Sequence, residues 1–212
     1  MSVNLAHYTL GDMALEGGNG FPTVHATDIM DCLETWANDP LATKTVEIVQ
    51  AVETSAHGPK VDGSGVFDHS SSPGVSCIDF FSPPQLRKFL DIYWKKWYPN
   101  WPTIHRPLFD PLRTPSILIA AMTIMGACHS TTSQDCADSK LWANVVEKLV
   151  FDELEQIKGG PCEVDRRNMI KLLQAACIMC IYQHWNGTNS SKKRIRRQRF
   201  VTLVSVSNYA TN

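Results

Sequence analysis

The chain has 212 residues, of which 43% are hydrophobic and 19% charged, with 20 basic and 21 acidic side chains. That is about one domain's worth of chain, apolar enough for a packed core, with an overall charge balance that names no partner by itself. The longest apolar run, around Ile117–Cys128, is shorter than the roughly 20 residues a bilayer span requires, so no membrane association is expected.

Met1-Ser2-Val3-Asn4 is not followed by the basic patch and apolar stretch of a secretory leader, so a chain that is not exported is expected. The odd number of cysteines, seven, then reads as reduced thiols rather than a disulfide framework. Charge is unevenly spread. Residues 1–84 hold eleven acids against Lys44 and Lys60, a local net charge of −9, whereas residues 85–212 hold 18 bases and ten acids, or +8. Opposite charges on the two halves predict two parts with different roles.

Eight of the 12 glycines precede residue 75, concentrated in Gly17-Gly18-Asn19-Gly20 and in the stretch from His57 to Gly74. Such segments bury too little apolar surface to offset the entropy of ordering. Asp28–Asn38 and Leu41–Ala56 carry only weak helical periodicity. Residues 1–81 therefore read as a largely disordered acidic arm with one or two short helices, preceding a helical domain at 82–212. No internal repeat is visible.

Ser82-Pro83-Pro84-Gln85 has the spacing of a capping box with prolines in the first turn, where a missing N–H costs nothing. Leu86, Phe89, Leu90, Tyr93, Trp94 and Trp97 then recur at three and four, predicting an amphipathic helix that Pro99 ends. A second helix, apolar nearly all round, is predicted from Thr114 to Ala127. A third runs over Ala137–Ile157 and a fourth over Asp165–His184. A fifth follows from about Ser191 to Asn208. The expected fold is all-α: an irregular domain of about five helices.

Cys177, Cys180 and His184 fall on one face of the fourth helix, and thiolate with imidazole suits zinc. A fourth ligand is missing, and Ala175, Ala176, Ile178, Met179 and Ile181 around them are core types, so these cysteines are expected to act as small apolar residues. A mid-helix position also argues against a redox pair. Cys128 and His129, with Cys136 nearby, are adjacent residues on one helix and point about 100° apart, so a nucleophile–base pair is not expected. Asp152-Glu153 reads as a solvated helix face. No catalytic, metal-binding or cofactor-binding residue is assigned, and no enzymatic activity is expected.

Lys192, Lys193, Arg194, Arg196, Arg197 and Arg199 place six bases in eight residues. Such a run repels itself and, at a helix start, opposes the helix dipole. It reads either as a nuclear-import signal or phosphate-contacting patch, or as a helix whose bases pair with acids elsewhere in the domain. Trp94 and Trp97 lie at helical spacing with Leu90 and are expected in the core, rather than as a stacking platform for nucleic acid.

The order of these motifs carries a resemblance. An aromatic helix leads into Pro99-Asn100-Trp101-Pro102-Thr103-Ile104-His105-Arg106-Pro107-Leu108-Phe109-Asp110. A small-residue helix at Leu118–Ala127 follows, then Leu172-Leu173-Gln174-Ala175, Trp185-Asn186-Gly187 and a basic helix. Over residues 82–208 this resembles the fungal-specific transcription factor domain, the helical middle homology region. It is most similar to the branch that carries two-Cys, two-His zinc fingers. The resemblance makes His105, Arg106, Pro107, Phe109, Asp110, Trp185 and Gly187 structural motif positions.

The resemblance implies a nuclear regulator of a secondary-metabolite gene cluster, working through the transcription machinery or a homologous factor, with dimerisation possible and DNA reached indirectly. The acidic arm, with Phe21, Leu33 and Trp36, reads as an activation segment. Neither a zinc finger nor a six-cysteine cluster is present, and the family domain runs past this chain's last residue. A truncated member without its DNA-binding module is therefore the expectation. The alternative is a helical adaptor, or a dominant-negative partner of a full-length factor, that binds no DNA of its own.

Overall fold

In the computed structural model, which describes residue 36 and residues 38–57, 76–159 and 166–211, every regular element among the described residues is helical. Helix α1 spans Ala42–His57 and the single turn α2 spans Cys77–Phe80. Helix α3, Pro83–Ile92, continues through a π turn at Tyr93–Trp97 and a 3-10 turn at Tyr98–Asn100. After a 3-10 turn at Arg106–Leu108 come α4 (Ser116–Cys128), α5 (Ser133–Gly159) and α6 (Arg166–Asn186). Last come α7 (Asn189–Arg194), a π turn at Ile195–Arg199, and α8 (Phe200–Thr211). None of these helices is long and apolar enough to cross a membrane.

The sequence of α4 dictates its place. It is apolar all round, and every residue from Ile117 to Ala127 is buried. Helices α3, α5 and α6 cover it, and α1 touches it as well. Its one polar side chain in that stretch, Thr123, donates its hydroxyl to the Ile119 carbonyl at 2.8 Å, so no donor is left unsatisfied. Gly126 lets α3 approach closely: a Cβ there would sit 2.0 Å from the Phe89 carbonyl oxygen.

The packed core also takes in residues before 82. Leu41, Thr45, Ile48, Val49 and Val52 form the buried stripe of α1, and Cys77, Ile78, Phe80 and Phe81 are buried behind it. Thr45 ties the two segments together by donating Oγ1 to the Phe81 carbonyl at 2.8 Å. Arg87 of α3 grips Asp39 with two nitrogens at 2.6 Å each. Those hydrogen bonds hold the Asp39 carboxyl below its ordinary value. Trp36 packs on the core. The expectations for Gly17–Gly20, for most of Asp28–Asn38, for Phe21 and Leu33, and for residues 58–74 lie outside the described residues.

Two details of the predicted elements change. Prolines do occupy the first turn of α3, but Ser82 makes no side-chain cap bond. Pro84, at the second helical position, has no N–H for such a cap to bond. Helix α5 begins at Ser133 rather than Ala137. Its early turn is anchored by Asp135, which accepts Lys88 Nζ at 2.8 Å and the Ser130 hydroxyl.

Candidate functional site

Helix α6 ends at Asn186, and the Gly187 N–H returns to the Gln183 carbonyl at 3.0 Å. A Cβ on Gly187 would meet that same oxygen at 2.4 Å, so only glycine lets the chain turn this closely over Gln183. Thr188 then caps α7, its hydroxyl accepting the Ser191 N–H at 3.2 Å. This corner delivers the basic run against α5.

The run is divided into two faces. Residues five apart on a regular α-helix diverge by about 140°. The i→i+5 bonding of the π turn at Ile195–Arg199 absorbs one extra residue and brings Arg194 and Arg199 to the same side. Both reach Glu147 of α5, whose side chain is only 1% exposed. Arg194 donates Nε to Oε1 at 2.8 Å and Nη2 to Oε2 at 2.5 Å, a fork matched to the carboxylate. Arg199 donates Nε to Oε1 at 3.2 Å, and its guanidinium lies 4.6 Å over the Phe151 ring. The hydrogen bond to Glu147 raises the Arg194 pKa further. Asn144 completes the network, its Oδ1 accepting from Gln183 Nε2, Ser191 Oγ and Arg194 Nη2 at 3.0, 3.2 and 3.1 Å.

The other four bases face away. Lys193, Arg196 and Arg197 are exposed and Lys192 is half-buried, with no ion pair to any of them among the described residues. Beyond them Phe200, Val201 and Val204 are exposed at 55%, 64% and 50%. What the composition presents as one basic patch is thus a two-residue internal clamp and a four-residue surface.

The remaining motif residues lie at two connections. Between α3 and α4, Arg106 sits 5.5 Å over the Trp94 ring and Phe109 meets the same ring edge-on at 5.0 Å. His105 and Pro107 are exposed around that 3-10 turn. Asp110 shapes the approach to α4, its Oδ1 accepting the Leu112 N–H and its carbonyl the Thr114 hydroxyl. At the other connection the exposed Trp185 lies in the last turn of α6, and Gly187 follows that helix. Trp94 and Trp97 pack partly buried on the core.

The described sulfur residues stand in different settings. Cys180 is buried, Cys177 half-buried, and His184 exposed with its ring against Trp185. Among the described residues no three His, Cys, Asp or Glu side chains form a group able to hold a metal ion. Burial pushes the Cys180 thiol up to about 12 and raises Cys177 as well. Asp152 pairs with Lys148 at 2.6 Å, and Glu153 is exposed.

Cys128 and His129 require a correction, for their Sγ and Nδ1 atoms lie 3.1 Å apart. The expected divergence assumed a continuing helix, but α4 ends at Cys128 and His129 is its non-helical cap residue. Nδ1 also lies 2.8 Å from the Met125 carbonyl, which only accepts, so this nitrogen carries the proton and cannot take one from the thiol. Burial pushes Cys128 up to about 12. We expect iodoacetamide at neutral pH to alkylate Cys77, Cys128 and Cys180 at least about tenfold more slowly in the native protein than after unfolding, as read by peptide mass spectrometry. Equal rates would contradict this description of the thiols.

The family described as fungal specific transcription factor domain matches residues 90–203. The relative named transcription factor verF, from Penicillium polonicum, is 43% identical over 178 residues, which cover 81% of this chain and 24% of the relative. The chain therefore spans about a quarter of that curated relative's length. No solved structure matches it.

Proposed function

Because the chain belongs to the fungal-specific transcription factor domain family, we propose that it is a non-enzymatic nuclear regulator controlling a fungal secondary-metabolite gene cluster. The observation that carries this reading is the division of the basic helix inside the matched segment. Arg194 and Arg199 are consumed by Glu147, whereas Lys192, Lys193, Arg196 and Arg197 stay free for an acidic receptor or for phosphate. Four cations without an internal ion pair suit a nuclear-import receptor. DNA is reached indirectly, through a partner, in this reading.

Deleting the gene in the fungus that carries it, and measuring transcripts genome-wide, tests the proposal. A contiguous set of biosynthetic genes is expected to change together. No coordinated change would sink the cluster-specific reading.

A second reading, a helical adaptor for a full-length homologous factor, draws support from the exposed Phe200, Val201 and Val204 on α8. Mixing the purified chain with such a factor and measuring mass by light scattering separates the two. A stoichiometric complex that Val204→Asp abolishes favours the adaptor; independent particles speak against it.

A further inference from the structure

The C-terminal ends of α4 and α6 meet the π turn of α3 around a cavity of about 250 Å3. Single π turns interrupt α-helices frequently at functional positions. This one carries Trp97 to the cavity, where its ring centre lies 5.4 Å from that of His129. On the other contributing helix Trp185 lines the same cavity while 72% exposed. Tyr182 and Cys128 add further wall, and no Lys, Arg, Asp or Glu contributes.

Two polar groups in this lining have unused capacity. The Met125 carbonyl fixes the proton of His129 on Nδ1. With the proton on Nδ1, Nε2 is the ring nitrogen that can accept, and it has no partner among the described residues. Asn186 uses its amide nitrogen only on the Cys128 sulfur, at 3.8 Å, and its oxygen has no partner among the described residues.

From these walls we infer that the cavity binds a small, flat, uncharged aromatic heterocycle bearing one N–H or O–H donor. Its ring lies against the Trp97 and Trp185 walls, and its donor bonds Nε2 of His129. The volume equals that of about eight waters at roughly 30 Å3 each, enough for one ring or two fused rings and too little for a peptide. A charged ligand would find its charge unpaired in this lining. Aromatic faces gain from stacking beyond simple burial, which favours a ring over an aliphatic chain. The inference goes beyond the regulatory role and does not depend on it.

Indole and 1-methylindole serve as probes, added to the full 212-residue chain labelled with 15N, with the tryptophan side-chain N–H signals assigned by single substitutions. Indole is expected to shift Trp97 and Trp185 saturably and to leave Trp142 in place. Trp185→Ala, at an exposed position that spares the fold, weakens binding about tenfold, whereas Trp101→Ala, outside the lining, does not. The methylated probe, lacking the donor, binds several-fold more weakly. Non-saturating shifts at all tryptophans, or unchanged affinity in Trp185→Ala, would overturn the site. Equal affinity for the two probes would overturn the hydrogen bond to His129. None of these readouts involves gene expression, so failure here is separable from failure of the proposed function.

Discussion

Replacing Glu147 by alanine is expected to destabilise the domain by about 3–5 kcal/mol, measured as a fall in the urea midpoint at unchanged slope. Glu147 is fully buried on α5 and is the shared acceptor for two guanidinium groups, Arg194 and Arg199. Removing it strands both cations against Phe151 and Asn144. Glu155 offers Arg199 a contact at 3.4 Å, but Glu155 is exposed and an exposed pair contributes little. The triple replacement of Glu147, Arg194 and Arg199 by methionine removes the charges together and is expected to recover most of the loss. A loss below about 1 kcal/mol in Glu147→Ala would show that the clamp behaves as an ordinary surface ion pair.

Gly126→Ala is expected to cost about 3 kcal/mol or more, by the same urea measurement. Two effects oppose each other. Alanine favours a helix over glycine by roughly 1 kcal/mol. Against that, the new Cβ would lie 2.0 Å from the Phe89 carbonyl oxygen and 2.7 Å from its carbon, both backbone atoms of α3. Backbone has no rotamer to escape into, so α3 and α4 must separate, loosening the packing around Phe89 and Met125. The overlap wins. A neutral or stabilising result would mean that the two helices are not this close.

Helices with a sustained apolar pattern were legible in the sequence, and α4 most of all, because eleven successive buried positions leave a helix no face for water. Helix α1 was legible as a weak helix but not as core. Its stripe includes a threonine, Thr45, whose burial depends on the Phe81 carbonyl 36 positions later. The glycine-rich and acidic flanks hid that partnership.

The basic run shows the same limit from the side of function. Its composition revealed six charges, but which of them face inward depends on a π turn that no periodicity announces and on a glutamate 47 positions earlier. Likewise the 3.1 Å approach of Cys128 to His129 follows from where α4 stops. Long-range partners and local departures from helical phase are the parts a linear pattern does not carry.

The division of the basic helix is tested most directly by the nuclear accumulation of a fluorescent fusion in fungal cells. The variant is Lys192, Lys193, Arg196 and Arg197 replaced together by glutamine. Because these side chains hold no internal acid among the described residues, the purified variant is expected to melt as the parent does, while its fluorescence spreads evenly between nucleus and cytoplasm. Unchanged nuclear accumulation in a variant that still folds would contradict the account, and the outward face would then need another role.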